Sequence, residues 1–197
     1  VAAAGGAGAG AGAGPGAGAG AGKEVLTLTI LHDTHLHGKL GGPDEPNIAR
    51  YSGLIQRLRQ GKDHVLVVGN GDDLAPSLES SIFRGAHMVD ALNALGLDVN
   101  TYGNHEFDYG PDNLLEMVRA STFQWVTANV IDRRTGDAFG SELGVRRYVI
   151  REVAGVKLGL TGLAPADTAT ASSPGPNVEV RDPAQAVAEV IPMMRAE

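Results

Sequence analysis

From Val25 onward, short apolar runs alternate with amphipathic stretches, and most runs are closed by polar and small residues. Val25–Leu31 mixes aliphatic residues with threonine and predicts a first strand. Ile48, Tyr51, Ile55 and Leu58 recur at helical spacing, which predicts a helix opened by Pro46 and closed by Gly61. Val65–Val68 is apolar at every position, as in a strand buried on both faces. Met88, Leu92 and Leu95 mark a second helix that Gly96 ends, and Leu97–Thr101 predicts a third strand. Pro111 begins a third helix with Leu114, Leu115 and Val118 inward, and Trp125–Val130 predicts a fourth strand. Tyr148–Val153 and Val156–Leu160 flank Ala154-Gly155 and predict a hairpin. Asp182 is placed to cap a last helix carrying Val187, Val190, Ile191 and Met194, with a kink at Pro192.

The order βαβαβαβ, then a hairpin and further αβ material, predicts an α/β fold with a largely parallel sheet. In such sheets the chemistry gathers beyond the carboxyl ends of the strands.

Composition changes the picture at the start of the chain. Residues 1–22 hold ten Ala and ten Gly and no charge, so they read as a low-complexity linker ahead of a folded portion, 23–197. The tract lacks a basic leader and a leucine-rich core, so it is not a signal peptide as it stands. The net charge of −7 argues against a nucleic-acid polymer as partner. One Trp, four Tyr and four Phe are few for base-stacking platforms. Without cysteine there is no disulfide, thiolate metal site or thiol nucleophile. No apolar run reaches the roughly 18 residues of a membrane span. The chain opens at Val1 inside low-complexity sequence and closes inside a predicted helix, so a fragment is expected.

Three loops carry candidate ligands directly after an apolar run. In His32-Asp33-Thr34-His35, a carboxylate and an imidazole two residues apart project to one side of an extended chain and can reach one ion. That donor pair suits Zn, Mn or Fe better than Ca. In Gly69-Asn70-Gly71-Asp72-Asp73, glycine lets the chain turn sharply and bring a carboxylate to the strand end, although Asn-Gly-Asp is also ordinary turn chemistry. In Gly103-Asn104-His105-Glu106-Phe107-Asp108, Asn104 offers a neutral oxygen ligand. His105 beside it fits a general acid oriented by Asp108. If the strands are adjacent, Asp33, His35, Asp72 and Asn104 converge on one crevice where a carboxylate could bridge two ions. Two metals about 3.5–4 Å apart form a common site for displacement at phosphorus.

At these residues the chain resembles the calcineurin-like metallophosphoesterases. Their D-x-H, G-D and G-N-H-[ED] motifs read here as Asp33-Thr34-His35, Gly71-Asp72 and Gly103-Asn104-His105-Glu106. The longer run to Asp108 is similar to the 5′-nucleotidase and 2′,3′-cyclic phosphodiesterase branch. The resemblance implies metallophosphoesterase βαβ layers with metal ligands at the carboxyl ends of the strands, incomplete at the C-terminus. It implies two divalent ions (Zn, Mn, Fe or Co) and attack by an activated water on a small-molecule phosphate ester, a nucleotide. Asp33 and His35 would hold the first ion, and Asp72 both. Asn104 would hold the second ion and touch a phosphate oxygen. His105 would stabilise the transition state or protonate the leaving oxygen, with Asp108 holding its ring. A periplasmic or extracellular location is implied by the resemblance alone.

The chain departs from the pattern in several places. His32 stands where the branch usually has Asn, and Asp73 adds a second acid after Asp72. Asp72 is preferred as the bridge because it follows Gly71, with Asp73 as the alternative. His37 reads as a loop residue or one lying behind the ligands, His64 as surface and His87 as helical. No His follows His105, so the family's later histidines have no counterpart in these residues, and its C-terminal nucleotidase domain is expected to be absent as well. A second site holding only Asp72 and Asn104 should bind weakly, so the chain alone is expected to be weak or inactive. Two alternatives stay open: a sugar-nucleotide diphosphatase or thiosulfohydrolase with the same site, or a non-catalytic short form that binds a metal or a partner.

Overall fold

The computed structural model describes residues 25–33, 35–42 and 47–197. The Ala/Gly tract 1–22, Thr34 and Pro46 lie outside them. A parallel sheet runs in the order β1-β2-β3-β4, from Thr29–His32, Val65–Val68, Val99–Thr101 and Gln124–Val126. The crossovers are α1 (Ile48–Gly61), the pair α2 (Leu78–Phe83) and α3 (Ala86–Leu95), and α4 (Gly110–Ala120). The expected βαβ order is present, with α2 an addition. The sheet therefore delivers the ends of β1, β2 and β3 side by side.

α1 is capped by Asn47, whose side chain accepts the Arg50 N–H. Its inward stripe is the expected one: Ile55 is fully buried, while Leu54 beside it is 47% exposed. Arg59 ties the helix down. Its Nη2 donates to the Gly96 carbonyl at 2.7 Å and to Asp98 Oδ2 at 3.1 Å, and that same oxygen accepts the Val67 N–H.

Three strands are shorter than the hydrophobic pattern predicts. β1 pairs only where β2 lies beside it, Thr29 with Val65 through His32 with Val68. Val25–Leu28 precede that register, and Val25 is exposed. β3 begins at Val99 because the Leu97 N–H still bonds to Leu92 and closes α3. The apolar run Trp125–Val130 is two strands. β4 ends at Val126, and β5 (Val130–Asp132) pairs antiparallel with β8 (Val178–Val180). Buried Asn129 makes the break, donating to the carbonyls of Ala164 and Arg181 and accepting the Ala164 N–H.

The hairpin β6 (Val149–Val153) and β7 (Val156–Leu160) turns through Ala154 and Gly155, both with positive φ, the geometry tight hairpins need. α5 (Thr168–Ala171) is short. In α6 (Pro183–Ala196), Asp182 accepts the Gln185 N–H as expected. Ala186 and Val190 form the packed face, while Ile191 is exposed. Helical structure continues through Pro192 to Ala196.

The centre of the core is aromatic. Tyr102 packs against Trp125 and Phe107 at centroid distances of 5.2 and 5.8 Å, and Phe107 against Phe139 at 6.0 Å. Tyr102 and Phe107 bracket the loop after β3, so that loop sits on the buried aromatic cluster. Ile55→Ala should cost about 2–5 kcal/mol and Leu54→Ala under about 1 kcal/mol, read as shifts of the urea midpoint. Equal shifts would contradict an α1 that turns Ile55 inward and Leu54 outward.

Candidate functional site

The loops after β1, β2 and β3 meet at the carboxyl edge of the sheet. Gly71 has φ 74, and a β-carbon there would lie 2.6 Å from the Gly103 nitrogen. One at Gly103 would lie 2.2 Å from Asp72 Oδ1. Only glycines let these two loops touch backbone to backbone. Glu106 fastens the contact. Its buried carboxylate accepts the N–H groups of Gly103 (2.6 Å), Asp72 (2.8 Å), Asp73 (2.8 Å) and Leu74 (3.3 Å). The sequence singled out Glu106 only as a motif letter; an acid beside a candidate catalytic His was its one signal.

The first loop is then laid across the second. The His37 N–H bonds to the Asp72 carbonyl, the Gly38 N–H to that of Asp73, and the Leu36 N–H to Asp73 Oδ1. His35, His37 and Asp72 all take positive φ, at 63°, 52° and 55°. Strained non-glycine residues of this kind persist where the surroundings over-determine them, and they cluster at functional sites.

Asp72 is turned toward the imidazoles. Its Oδ2 lies 3.3 Å from His35 Nδ1, and its Oδ1 accepts the His105 N–H at 2.9 Å. Among the described residues, His35, His37 and Asp72 place donor atoms within 4.8 Å of one another, a group able to hold a cation. The sequence reading placed His37 outside the ligands; the fold brings it into this group. Asp73 faces the other way. It is sealed in the interior by Asn100 Nδ2 at 2.9 Å, and burial with the nearby Asp33 and Glu106 charges pushes its carboxyl well up.

Asp33 stands beside the group rather than inside it. One oxygen accepts the Asn70 N–H, and the other is buried without a hydrogen-bond partner. Burial pushes its carboxyl up to about 6. A buried carboxylate with an unfilled oxygen is a site that a cation would satisfy. Imidazole and carboxylate donors of this kind fit a divalent metal. Asn104 is half-buried at the end of β3, between Gly103 and His105, both of which meet the Asp72 loop.

His105 and Asp108 form the expected pair, with Nδ1 and Oδ2 at 2.8 Å. The turn His105–Phe107 sets the three-residue separation. The other oxygen of Asp108 accepts the Ser172 hydroxyl at 2.8 Å, a partner 64 residues away that no local pattern announces. A cavity of about 360 Å³ lined by Asp33, His35, Lys39 and Tyr51 opens beside the group. A larger one near Thr29, His64 and Val156 is lined by none of these candidate ligands.

No protein-family model matches the chain. A snake venom 5′-nucleotidase of Gloydius brevicauda is 34% identical over 168 residues, covering 79% of this chain and 28% of that protein. A 5′-nucleotidase precursor of Thermus thermophilus superposes with a TM-score of 0.80 at 27% identity, over 87% of this chain and 35% of that one. The calcineurin-like phosphoesterase YfkN of Bacillus subtilis superposes at 0.71 with 26% identity, over 86% and 58%. The chain thus spans well under half the length of the two nucleotidases.

Glu106→Gln keeps one acceptor oxygen and turns an amide NH2 toward backbone donors. It should cost about 2–4 kcal/mol in urea unfolding, because buried N–H groups lose their acceptor. A loss below about 0.5 kcal/mol would contradict the clamp. Asp33→Asn should do the opposite to the metal-free protein. A carboxyl held up at about 6 makes folding less favourable as pH rises from its ordinary 3.8 to about 6. The gain in melting temperature over wild type should therefore be larger at pH 7 than at pH 4, and the stabilisation by Mn²⁺ should shrink. A lower melting temperature for the metal-free variant at pH 7 would contradict this account.

Proposed function

We propose a function from one premise: the chain belongs with the calcineurin-like phosphoesterases, as the N-terminal portion of the 5′-nucleotidase type. It supplies the metal-holding loops and the catalytic imidazole of a hydrolase that cleaves a phosphate ester, with a nucleotide as substrate. One observation carries this reading. An imidazole anchored by a carboxylate, His105 on Asp108, sits on the same loop contact as a carboxylate, Asp72, that faces two further imidazoles.

The roles proposed are those that the motif resemblance implies, and the pairing of Asp72 with His35 and of His105 with Asp108 supports them. Asp33 and His35 would hold one divalent ion, Asp72 both ions, and Asn104 the second; Zn, Mn, Fe and Co all suit these donors. When bound, such ions supply an activated water and positive charge at phosphorus. Asp108 fixes the ring of His105 through Nδ1 and leaves Nε2 for the substrate. A proton on Nε2 then stabilises charge building on the phosphate or passes to the leaving oxygen. Ser172 holds Asp108 from behind, so the dyad keeps its direction without substrate.

A location outside the cytoplasm is part of the proposal, supported by relatives named as venom enzymes. Among the described residues, no helix is long and apolar enough to cross a membrane.

In the protein that carries this chain, supplied with Mn²⁺, phosphate release from a nucleoside 5′-monophosphate should fall at least about 100-fold in His105→Ala. The fall should be in kcat rather than KM. Asp72→Asn should lower kcat comparably and also weaken stabilisation by Mn²⁺. Unchanged turnover in either variant refutes the role of that residue.

A further inference from the structure

His37 has no task in the roles above. Its ring lies between two others, with centroids 5.6 Å from His35 and 5.2 Å from His105. One of its nitrogens belongs to the three-donor group with His35 and Asp72. Its backbone is held at φ 52, a conformation that favours glycine. Four hydrogen bonds hold it there. The His37 N–H donates to the Asp72 carbonyl at 2.8 Å and the Gly38 N–H to that of Asp73 at 2.9 Å. The Gly38 carbonyl in turn meets Ser77 Oγ at 2.7 Å and His87 Nε2 at 2.8 Å. If this position served only as a turn, glycine would fill it without strain. The fold instead keeps an imidazole and directs it at Asp72.

We propose that His37 is a further protein ligand of the cation group, beside His35 and Asp72; this deepens the metal reading above and rests on it. A second imidazole changes the donor set. One carboxylate and one imidazole accept many divalent ions, whereas two imidazoles and a carboxylate favour Zn²⁺ or Co²⁺ over Mg²⁺ or Ca²⁺. The ligand comes from the first loop itself, so the group needs no histidine from beyond His105.

The test is direct binding of Co²⁺ to the chain, followed by calorimetry and by the visible absorption of the bound ion. His37→Gly removes the imidazole and suits the left-handed backbone, so the metal-free variant should melt at or above the wild-type temperature. Its affinity for Co²⁺ should fall by at least about tenfold, with an altered visible band. His37→Asn also accepts this backbone and gives a second reading, and His64→Gln, away from the group, should bind as wild type does. Wild-type affinity and an unchanged band in His37→Gly and His37→Asn overturn the assignment and leave the metal reading standing. A wild-type chain that takes up no Co²⁺ overturns both.

Discussion

The geometry of the site depends on one buried carboxylate. Glu106 accepts backbone N–H groups from its own loop and from three consecutive residues of the loop after β2. Each of those donors, left unpaired in the interior, would cost about 1–3 kcal/mol. Burial alone would push the acid toward its neutral form, and the amides pull against that. Charge-assisted bonds of this type are short and directional. They set Asp72 and His105 relative to one another, and the bond from the His105 N–H to Asp72 closes the loop contact.

The acids behind the site form a layered system. Asp73, Glu106 and Asp33 are all buried, and burial raises all three. Glu106 is satisfied by backbone, and Asp73 by Asn100 and the Leu36 N–H. Among these three acids only Asp33, beside the edge where the histidines gather, keeps an oxygen without a hydrogen-bond partner. A cation at that edge would relieve the remaining repulsion, which couples its binding to the stability of the loops.

The parallel layout was legible because each βαβ unit is written in two periods: apolar runs for strands and a helical stripe between them. The Asp33, Asp72 and His105 loops were legible because their residue types follow those runs directly. Boundaries were not. Val25–Leu28 has strand composition but no strand beside it, and Trp125–Val130 is interrupted by Asn129, whose partners lie at Ala164 and Arg181. Long-range bonds decide both, and local pattern cannot contain them. Ser172 on Asp108 is hidden for the same reason. His37 was passed over although alternation places it on the side of Asp33 and His35; what the local pattern does not show is the left-handed φ that both histidines adopt.

Those left-handed residues show how the site is stabilised. His35, His37 and Asp72 each cost on the order of 1–3 kcal/mol in backbone conformation. A loop bearing this strain alone would relax into the ordinary regions. Here the strain is shared across a rigid frame. β1 and β2 are paired in register up to His32 and Val68, the Gly71–Gly103 contact leaves no slack, and the aromatic core under β3 fixes the third loop. The first loop is laid on the second by backbone bonds, so neither can relax without breaking the other. Preorganisation of this kind spares the protein reorganisation when a charged ligand arrives. It also explains why the candidate ligands sit on loops, where backbone can take unusual conformations, yet on loops tied so closely to the ends of strands.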